Sequence, residues 1–362
     1  MILRLVYLRS SIALTLLVSA LSSRADTPVT SLLPPITQGQ RVFTCAHSFH
    51  GFTYKQVDEM AKAAGLDHQL AGISSIGGSM VKKHWEVPDD KNIAKAALIA
   101  SKADVLTLSP IWLPDEGIEN FVKLGVQHNP DLRVTVQVYW MPNDEYEPVY
   151  PLQTRKKTDH NATDLAKLRD ATQRYSKDIE DLVRGINQRL GKDAVVVVPV
   201  GLAAVTLREK IVSGTAPGLK AQWDLFRDNW GHAQPPLQIL SSYCHFATIY
   251  RRSPLGLPVP TAFKLLKDMS DDDKAKLNTL LQEIAWDTVS ITQWPGSHNQ
   301  PRLSKRVTSP IALAERDELK LRTTLCIVTP CATQRGVILS RVQVEVNYPR
   351  PSANSLNFGL VL

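Results

Sequence analysis

A serine stands between two histidines in the segment "AHSFH", at the point where a run of apolar residues ends in a turn. The hydroxyl of this serine, Ser48, is a poor nucleophile until a base takes its proton and a third group orients that base. His47 and His50 are too close along the chain to be obvious bases, because neighbouring side chains at such a turn tend to diverge. A nucleophilic role for Ser48 therefore requires a base from elsewhere, and the alternative is an ordinary polar turn.

A base and its orienting carboxylate occur together far downstream, in the segment "LFRDNWGHAQPP". Asp228 and His232 lie in one loop there, and Gly231 permits a tight backbone. Such a loop can meet a distant serine, with the carboxylate fixing the tautomer of the imidazole. The alternative is a loop ion pair or a cap, since Asp and Gly favour turns in any case. The order of the residues along the chain favours a catalytic Ser-His-Asp set.

Stabilisation of an oxyanion needs hydrogen-bond donors, and two glycines could provide them. Gly77 and Gly78 in "SSIGGS" could present main-chain N–H groups, because glycine lets the backbone approach a ligand closely. Ser109 in "LTLSPIW" stands where a further polar donor could lie. Trp112 and Trp140 would suit a cleft that faces a sugar, although aromatic residues at such positions are more often part of the core or rim.

The elements that must position these residues follow from an alternation of apolar runs and helical patterns. Helices separate the strands, which predicts an α/β fold with a central parallel sheet of about five strands and helices on both faces. Ligands of such sheets bind at the carboxyl ends of the strands, so the "AHSFH" turn, the "SSIGGS" loop and the "SPIW" corner share one rim. The predicted strands are 42–45, 70–74, 103–110, 132–140 and 194–201, and the helices that separate them are 54–64, 89–102, 114–130 and 163–190.

The remaining chain defines the domain organisation. Two further helices are predicted at 237–250 and 275–293, and the alternation of strands and helices stops after Trp294. We therefore expect an α/β domain over residues 40–294 and a C-terminal extension of unknown structure over residues 295–362.

The charge of the chain does not indicate nucleic-acid binding. The formal net charge is +7, but residues 295–362 hold nine Lys or Arg and four Asp or Glu, so most of the surplus lies in the extension. No basic block is interleaved with aromatic residues. The extension is interpreted as a solvated face or a contact with an acidic surface. No cluster of metal ligands appears, and no metal or organic cofactor is predicted.

The first 25 residues have the pattern of a secretory signal peptide. Arg4 and Arg9 form a short basic start, residues 12–21 are apolar, and Ser23 to Ala25 fits a small-residue cleavage site. The apolar stretch is about half of the ~20 residues that a membrane span needs, so no permanent anchor is expected. We predict export to the periplasm or the medium after cleavage near Ala25, with residues 26–39 as a linker.

The chain has four cysteines, which are too few for a disulfide scaffold. An oxidising compartment would permit a bridge between Cys326 and Cys331. Two buried free thiols at Cys45 and Cys244 are the alternative interpretation. The spacing of the four residues does not match that of a zinc site.

The motifs over residues 40–260 resemble those of SGNH (GDSL-like) hydrolases, a family of secreted and cytosolic esterases and lipases on a flavodoxin-like three-layer α/β/α fold. The resemblance implies Ser48 as nucleophile, in "AHSFH" where the family has Gly-Asp-Ser-Leu, and Gly77 or Gly78 as an oxyanion donor. It implies Asp228 and His232 as the dyad.

Two features depart from the family pattern. The dyad is Asp-x-x-x-His, one residue longer than usual, and Ser109 stands near the position of the family's oxyanion asparagine. We expect a secreted esterase that acts on carbohydrate or other small esters. The rivals are a catalytically inactive relative that binds glycans or another envelope partner, and a purely structural envelope protein.

Overall fold

Five short runs rich in Val, Leu and Thr form one sheet in the computed structural model, which describes residues 34–147 and 158–293. The strands are all parallel and lie in the order β2-β1-β3-β4-β5, so the predicted five-stranded parallel sheet is confirmed. This order is the flavodoxin-like one, with a switch point between β1 and β3. The strands are β1 (Arg41–Ala46), β2 (Gln69–Ser75), β3 (Val105–Leu108), β4 (Arg133–Gln137) and β5 (Val195–Val198).

Helices cover both faces of the sheet. Packing contacts group α1, α7 and α8 into one set and α3 and α4 into another, and the members of each set pack on one another. Strands β3 and β4 are consequently buried along their length, apart from Arg133 at the start of β4. The helices are α1 (Thr53–Ala63), α2 (Val81–Trp85), α3 (Ile93–Ile99), α4 (Glu116–His128), α5 (Leu165–Leu190), α6 (Val200–Val212), α7 (Pro235–Tyr250) and α8 (Asp271–Gln293).

Several predicted boundaries are corrected by identifiable local chemistry. Helix α3 begins only at Ile93 because the Asn92 side chain caps it, accepting a hydrogen bond from the N–H of Lys95 at 3.0 Å. Strand β5 ends at Val198, since Pro199 has no N–H for the sheet, and the unpredicted helix α6 follows at once.

Helix α2 was also missed by the sequence pattern, because it is short and its start depends on a distant residue. The Asp115 carboxylate accepts hydrogen bonds from the N–H groups of Val81 at 2.7 Å and Lys82 at 2.8 Å. This carboxylate lies 33 residues or more along the chain from the helix start that it caps.

Some predictions concern residues that the structure does not describe. These are the signal peptide over residues 1–25, the whole extension over residues 295–362, and a bridge between Cys326 and Cys331. Internal contacts divide the chain into Met1–Leu303 and Ser304–Leu362, and the second unit lies outside the described residues. The end of the predicted linker is described, and the N–H of Ile36 donates to the carbonyl of Tyr250 at 2.8 Å.

Two further findings bear on the predictions. Cys45 and Cys244 are buried free thiols, as the alternative interpretation predicted. Within residues 34–147 and 158–293, no helix is both long enough and apolar enough to cross a membrane.

Candidate active site

The turn that follows β1 presents one hydroxyl to solvent. The N–H groups of His50 and Gly51 both donate to the carbonyl of His47, at 3.0 and 2.9 Å, and close the chain into a tight turn. Ser48 is exposed in this turn, whereas His47, Phe49 and His50 are buried. The backbone therefore fixes the position of Ser48 while its side chain remains accessible.

Ser48, His232 and Asp228 form a continuous chain of hydrogen bonds. The Oγ of Ser48 lies 3.0 Å from Nε2 of His232, and Nδ1 of the same ring lies 2.7 Å from Oδ2 of Asp228. Oδ1 of Asp228 accepts from the N–H groups of Trp230 at 3.0 Å and His232 at 3.1 Å. The structure thus brings together three residues that are up to 184 positions apart.

The hydrogen bonds of Asp228 also set its charge. Burial acts to raise the pKa of this carboxyl, but the main-chain and side-chain hydrogen bonds from His232 outweigh burial and hold the pKa below its ordinary value. Asp228 is therefore a carboxylate at neutral pH, and it orients the imidazole with a proton on Nδ1. The free electron pair of Nε2 then faces the hydroxyl of Ser48.

The longer Asp-x-x-x-His spacing is accommodated by a tight loop. Phe226 and Ala233 form an isolated antiparallel bridge, and the N–H of Arg227 donates to the carbonyl of His232 at 2.9 Å. Gly231 has a φ of +87°, which favours glycine. We call residues 226–233 the dyad loop. The chain turns back at Gly231, and the Asp228 and His232 side chains remain within hydrogen-bond distance.

Main-chain donors are available beside Ser48. Gly77 and Gly78 line the same cavity as Ser48, and space beside both glycines is open. The N–H groups of Ser48, Gly77 and Gly78 have no acceptor in the described part of the chain. Three donors are therefore free to bind the oxygen of a ligand.

Ser109 does not join these donors. Its side chain is buried and is absent from the cavity wall. Its Oγ lies 2.9 Å from Nε2 of His47 and 3.1 Å from Nε2 of Gln137. The interpretation of Ser109 as an oxyanion donor is corrected by this position, because its hydroxyl belongs to a polar network beneath the turn.

That network fixes the residues on both sides of Ser48. The N–H of Phe49 donates to Nδ1 of His47 at 3.2 Å, and Gln137 donates to the carbonyl of Phe49 at 3.2 Å. Oε1 of Gln137 in turn accepts from Nε2 of His245 at 2.8 Å. Burial lowers the pKa of His47 to about 3. His47 is thus a neutral structural group, and sequence reasoning did not find Gln137.

A cavity of about 500 Å³ opens beside Ser48 and His232. Its lining includes no Asp, Glu, Lys or Arg side chain from the described ranges. Trp140 lies behind the wall, where its ring stacks on Phe49 at 4.7 Å and its Nε1 donates to the carbonyl of Gly231 at 2.8 Å. The apolar part of the wall consists of Phe49, Ile111, Trp112, Tyr139, Pro142 and Trp230.

Comparison with known proteins assigns no family to the chain. No family model matches the chain, and no curated protein matches it. One solved structure that is similar is the crystal structure of a DUF4886 family protein from Bacteroides uniformis, at 13% identity and a TM-score of 0.45. The match covers 72% of this chain and 96% of the other. Among residues 34–147 and 158–293, no group of three or more His, Cys, Asp or Glu could hold a metal ion.

We expect the protein to lose stability in mild acid, because four buried histidines near the site have lowered pKa values. Burial lowers the pKa of His47 and His245 to about 3, that of His84 to about 4, and that of His50 well below its ordinary value. These rings take up protons only on unfolding, so below pH 6.5 the unfolded state binds more protons. Each histidine contributes a slope of up to about 1.4 kcal/mol per pH unit. Asp115 has the opposite effect on the pH dependence. Burial raises its pKa to about 6, so below that pH the folded state binds a proton that the unfolded state binds less readily.

We therefore expect the free energy of unfolding to fall as the pH is lowered from 6.5 to 5. Ordinary Asp and Glu side chains titrate mostly below this window, so the histidines dominate the change. Urea denaturation at pH 7, 6 and 5 measures the effect. Equal free energies of unfolding at pH 7 and pH 5 would contradict the protonation states assigned here.

Proposed function

We propose that this protein is a serine hydrolase that cleaves esters. The observation that carries the proposal is the hydrogen-bonded chain from Asp228 through His232 to Ser48, at the mouth of a cavity with free main-chain donors. Nδ1 of His232 faces the carboxylate of Asp228, and Nε2 faces the hydroxyl of Ser48. This hydroxyl is accessible to solvent, as a nucleophile requires. The resemblance to SGNH hydrolases in the motifs around these residues supports the same conclusion.

The reaction proceeds through a covalent intermediate. Nε2 of His232 takes the proton of Ser48 while Oγ attacks the acyl carbon, and the carbonyl oxygen becomes an oxyanion bound by main-chain N–H groups. Collapse of the tetrahedral species breaks the ester bond, and the protonated His232 gives its proton to the departing alcohol. A water molecule, deprotonated by the same ring, then attacks the acyl-enzyme and releases the acid and Ser48.

The oxyanion site uses the backbone alone. The N–H groups of Ser48, Gly77 and Gly78 are the available donors, and no asparagine from the described ranges lines the cavity. Loss of one oxyanion donor costs about 10²–10³ in rate where it has been removed from other enzymes. A lower turnover than that of an esterase with a side-chain donor is therefore expected.

The cavity wall favours an apolar acyl group. Sugar hydroxyls need polar partners, and this wall offers mainly aromatic and aliphatic surface around Ser48. We assign the acyl half of the ester to the cavity, and a carbohydrate alcohol, if present, to the open side.

Export belongs to the same proposal. The pattern of residues 1–25 supports a mature chain that begins near Asp26 and acts in the periplasm or the medium. N-terminal sequencing of protein from those fractions tests this, and an intact Met1 there would contradict it.

A series of p-nitrophenyl esters tests both the activity and the acyl preference. Burial of one CH₂ group is worth about 0.8 kcal/mol, so kcat/KM is expected to rise about fourfold per methylene from acetate to hexanoate. Equal rates along the series would refute the acyl assignment but not the hydrolase. No turnover of any ester by folded protein would refute the hydrolase itself.

A further inference from the structure

Hydrogen bonds connect the dyad loop to the segment that follows β4 and to residues 158–160. The indole N–H of Trp140 donates to Gly231, and the N–H of Asn143 donates to the carbonyl of Trp230 at 3.0 Å. A third contact reaches Asp228 itself, because Nε2 of His160 lies 3.0 Å from its main-chain carbonyl oxygen. Among these contacts, only the one from His160 connects the loop to a buried group of charges.

The His160 ring is fully buried, and each of its two nitrogens faces an acceptor. Nδ1 lies 2.8 Å from Oδ2 of Asp144, whose side chain is 4% exposed. Nε2 faces the carbonyl oxygen of Asp228, which has no proton to give. A neutral imidazole has one N–H, so one of these two contacts would place a lone pair against an acceptor oxygen.

Asp144 does not supply the missing proton, because its neighbours hold it ionised. Arg208 donates to both of its oxygens, at 2.6 and 2.9 Å, and the hydroxyl of Thr163 donates to Oδ2. Burial acts to raise the pKa of Asp144, but the hydrogen bonds from His160 and Arg208 outweigh burial and bring the pKa to about 2.

From this geometry we infer that His160 is a buried imidazolium that holds the carbonyl of Asp228 and thereby positions the catalytic dyad. Asp144 and Arg208 form a neutral pair, and His160 adds one positive charge beside the loop that carries the Asp228 carboxylate. The rings of Trp223 and Phe226 enclose the imidazolium, with centroids 4.5 and 4.2 Å from its own. The role of this contact in catalysis rests on the hydrolase activity proposed above, whereas the protonation state of His160 does not.

Long-range ¹⁵N–¹H NMR correlations of the ring nitrogens test the protonation state directly. The signals of His160 are assigned by their loss in His160→Gln. At pH 7.5 both nitrogens of His160 are expected to be of the protonated type. An unprotonated nitrogen in this ring would overturn the inference, whether or not the protein hydrolyses esters.

The same variant tests the positioning role. Glutamine can donate to only one of the two acceptors, so His160→Gln is expected to lower kcat about tenfold or more while KM changes less than about threefold. The low-field proton of His232 Nδ1, bonded to Asp228, is expected to shift or broaden in this variant. His68→Gln is the matched control: His68 is also buried and is hydrogen-bonded to Tyr250, but it precedes β2 at the opposite end of the sheet.

The control variant is expected to retain both kcat and the His232 proton signal. Wild-type kcat and an unchanged His232 signal in folded His160→Gln would overturn the positioning role. If His160→Gln does not fold, the ring of wild-type His160 still decides the protonation state, with its signals assigned by NOEs to the neighbouring rings of Trp223 and Phe226. Absence of ester turnover in the wild type would count against the proposed function, and the two NMR signals would still decide the inference.

Discussion

Ester turnover is expected to fall by about 10⁴–10⁶ when Ser48 is replaced by alanine, since removal of the nucleophile abolishes the covalent route. The fold is expected to remain intact. Ser48 is exposed, and the hydrogen bond of its hydroxyl to His232 is the side-chain contact that the change removes. The turn itself is closed by main-chain bonds to His47, which the substitution leaves in place.

The measurement is kcat/KM for p-nitrophenyl butyrate, together with the melting temperature of each variant. Ser213→Ala is the control, because Ser213 is an exposed serine at the end of α6. It is expected to retain the wild-type rate. Wild-type turnover in Ser48→Ala would show that the reaction uses another nucleophile.

Replacing His232 by alanine is expected to cost nearly as much as losing Ser48, because the members of such a set act as a unit. Without the imidazole, no base in the described ranges is hydrogen-bonded to the hydroxyl of Ser48. His47 cannot substitute, since its Nδ1 accepts from Phe49 and its Nε2 is bonded to Ser109.

Asp228→Asn is expected to cost about 10⁴-fold or less, and less than either of the other two changes. Oδ1 of Asp228 accepts two main-chain N–H groups, so an asparagine keeps its oxygen there and turns its NH₂ group towards Nδ1 of His232. That donor selects the tautomer with a proton on Nε2, which then faces Ser48 without a free electron pair. Equal rates for Asp228→Asn and the wild type would contradict the role of Asp228.

Much of the framework could be predicted because local patterns determine it. The apolar strands, the helical spacing and the stop signals such as Gly191 depend on residues close in sequence, and Gly191 does end α5 with a φ of +68°. The rule that ligands bind at the carboxyl ends of parallel strands then placed the loops of Ser48 and Asp228 on one rim.

The supporting residues could not be predicted, because tertiary contacts assign their partners. Ser109 lies just after β3, and its side chain turns beneath the surface, where its hydroxyl is hydrogen-bonded to His47 and Gln137. Asp144, His160 and Arg208 are separated by up to 64 residues. The sequence holds one signal for this group. Arg208 lies among apolar residues of α6, and a buried charge requires a partner.

Covalent labelling with a fluorophosphonate probe tests the central claim most directly, because only an activated serine displaces fluoride at an appreciable rate. Peptide mapping by mass spectrometry is expected to place one label per chain on Ser48, with none on Ser48→Ala and little on His232→Ala. Folded wild-type protein that takes no label, or that takes it at another residue, would contradict the account of Ser48, His232 and Asp228 as a catalytic set.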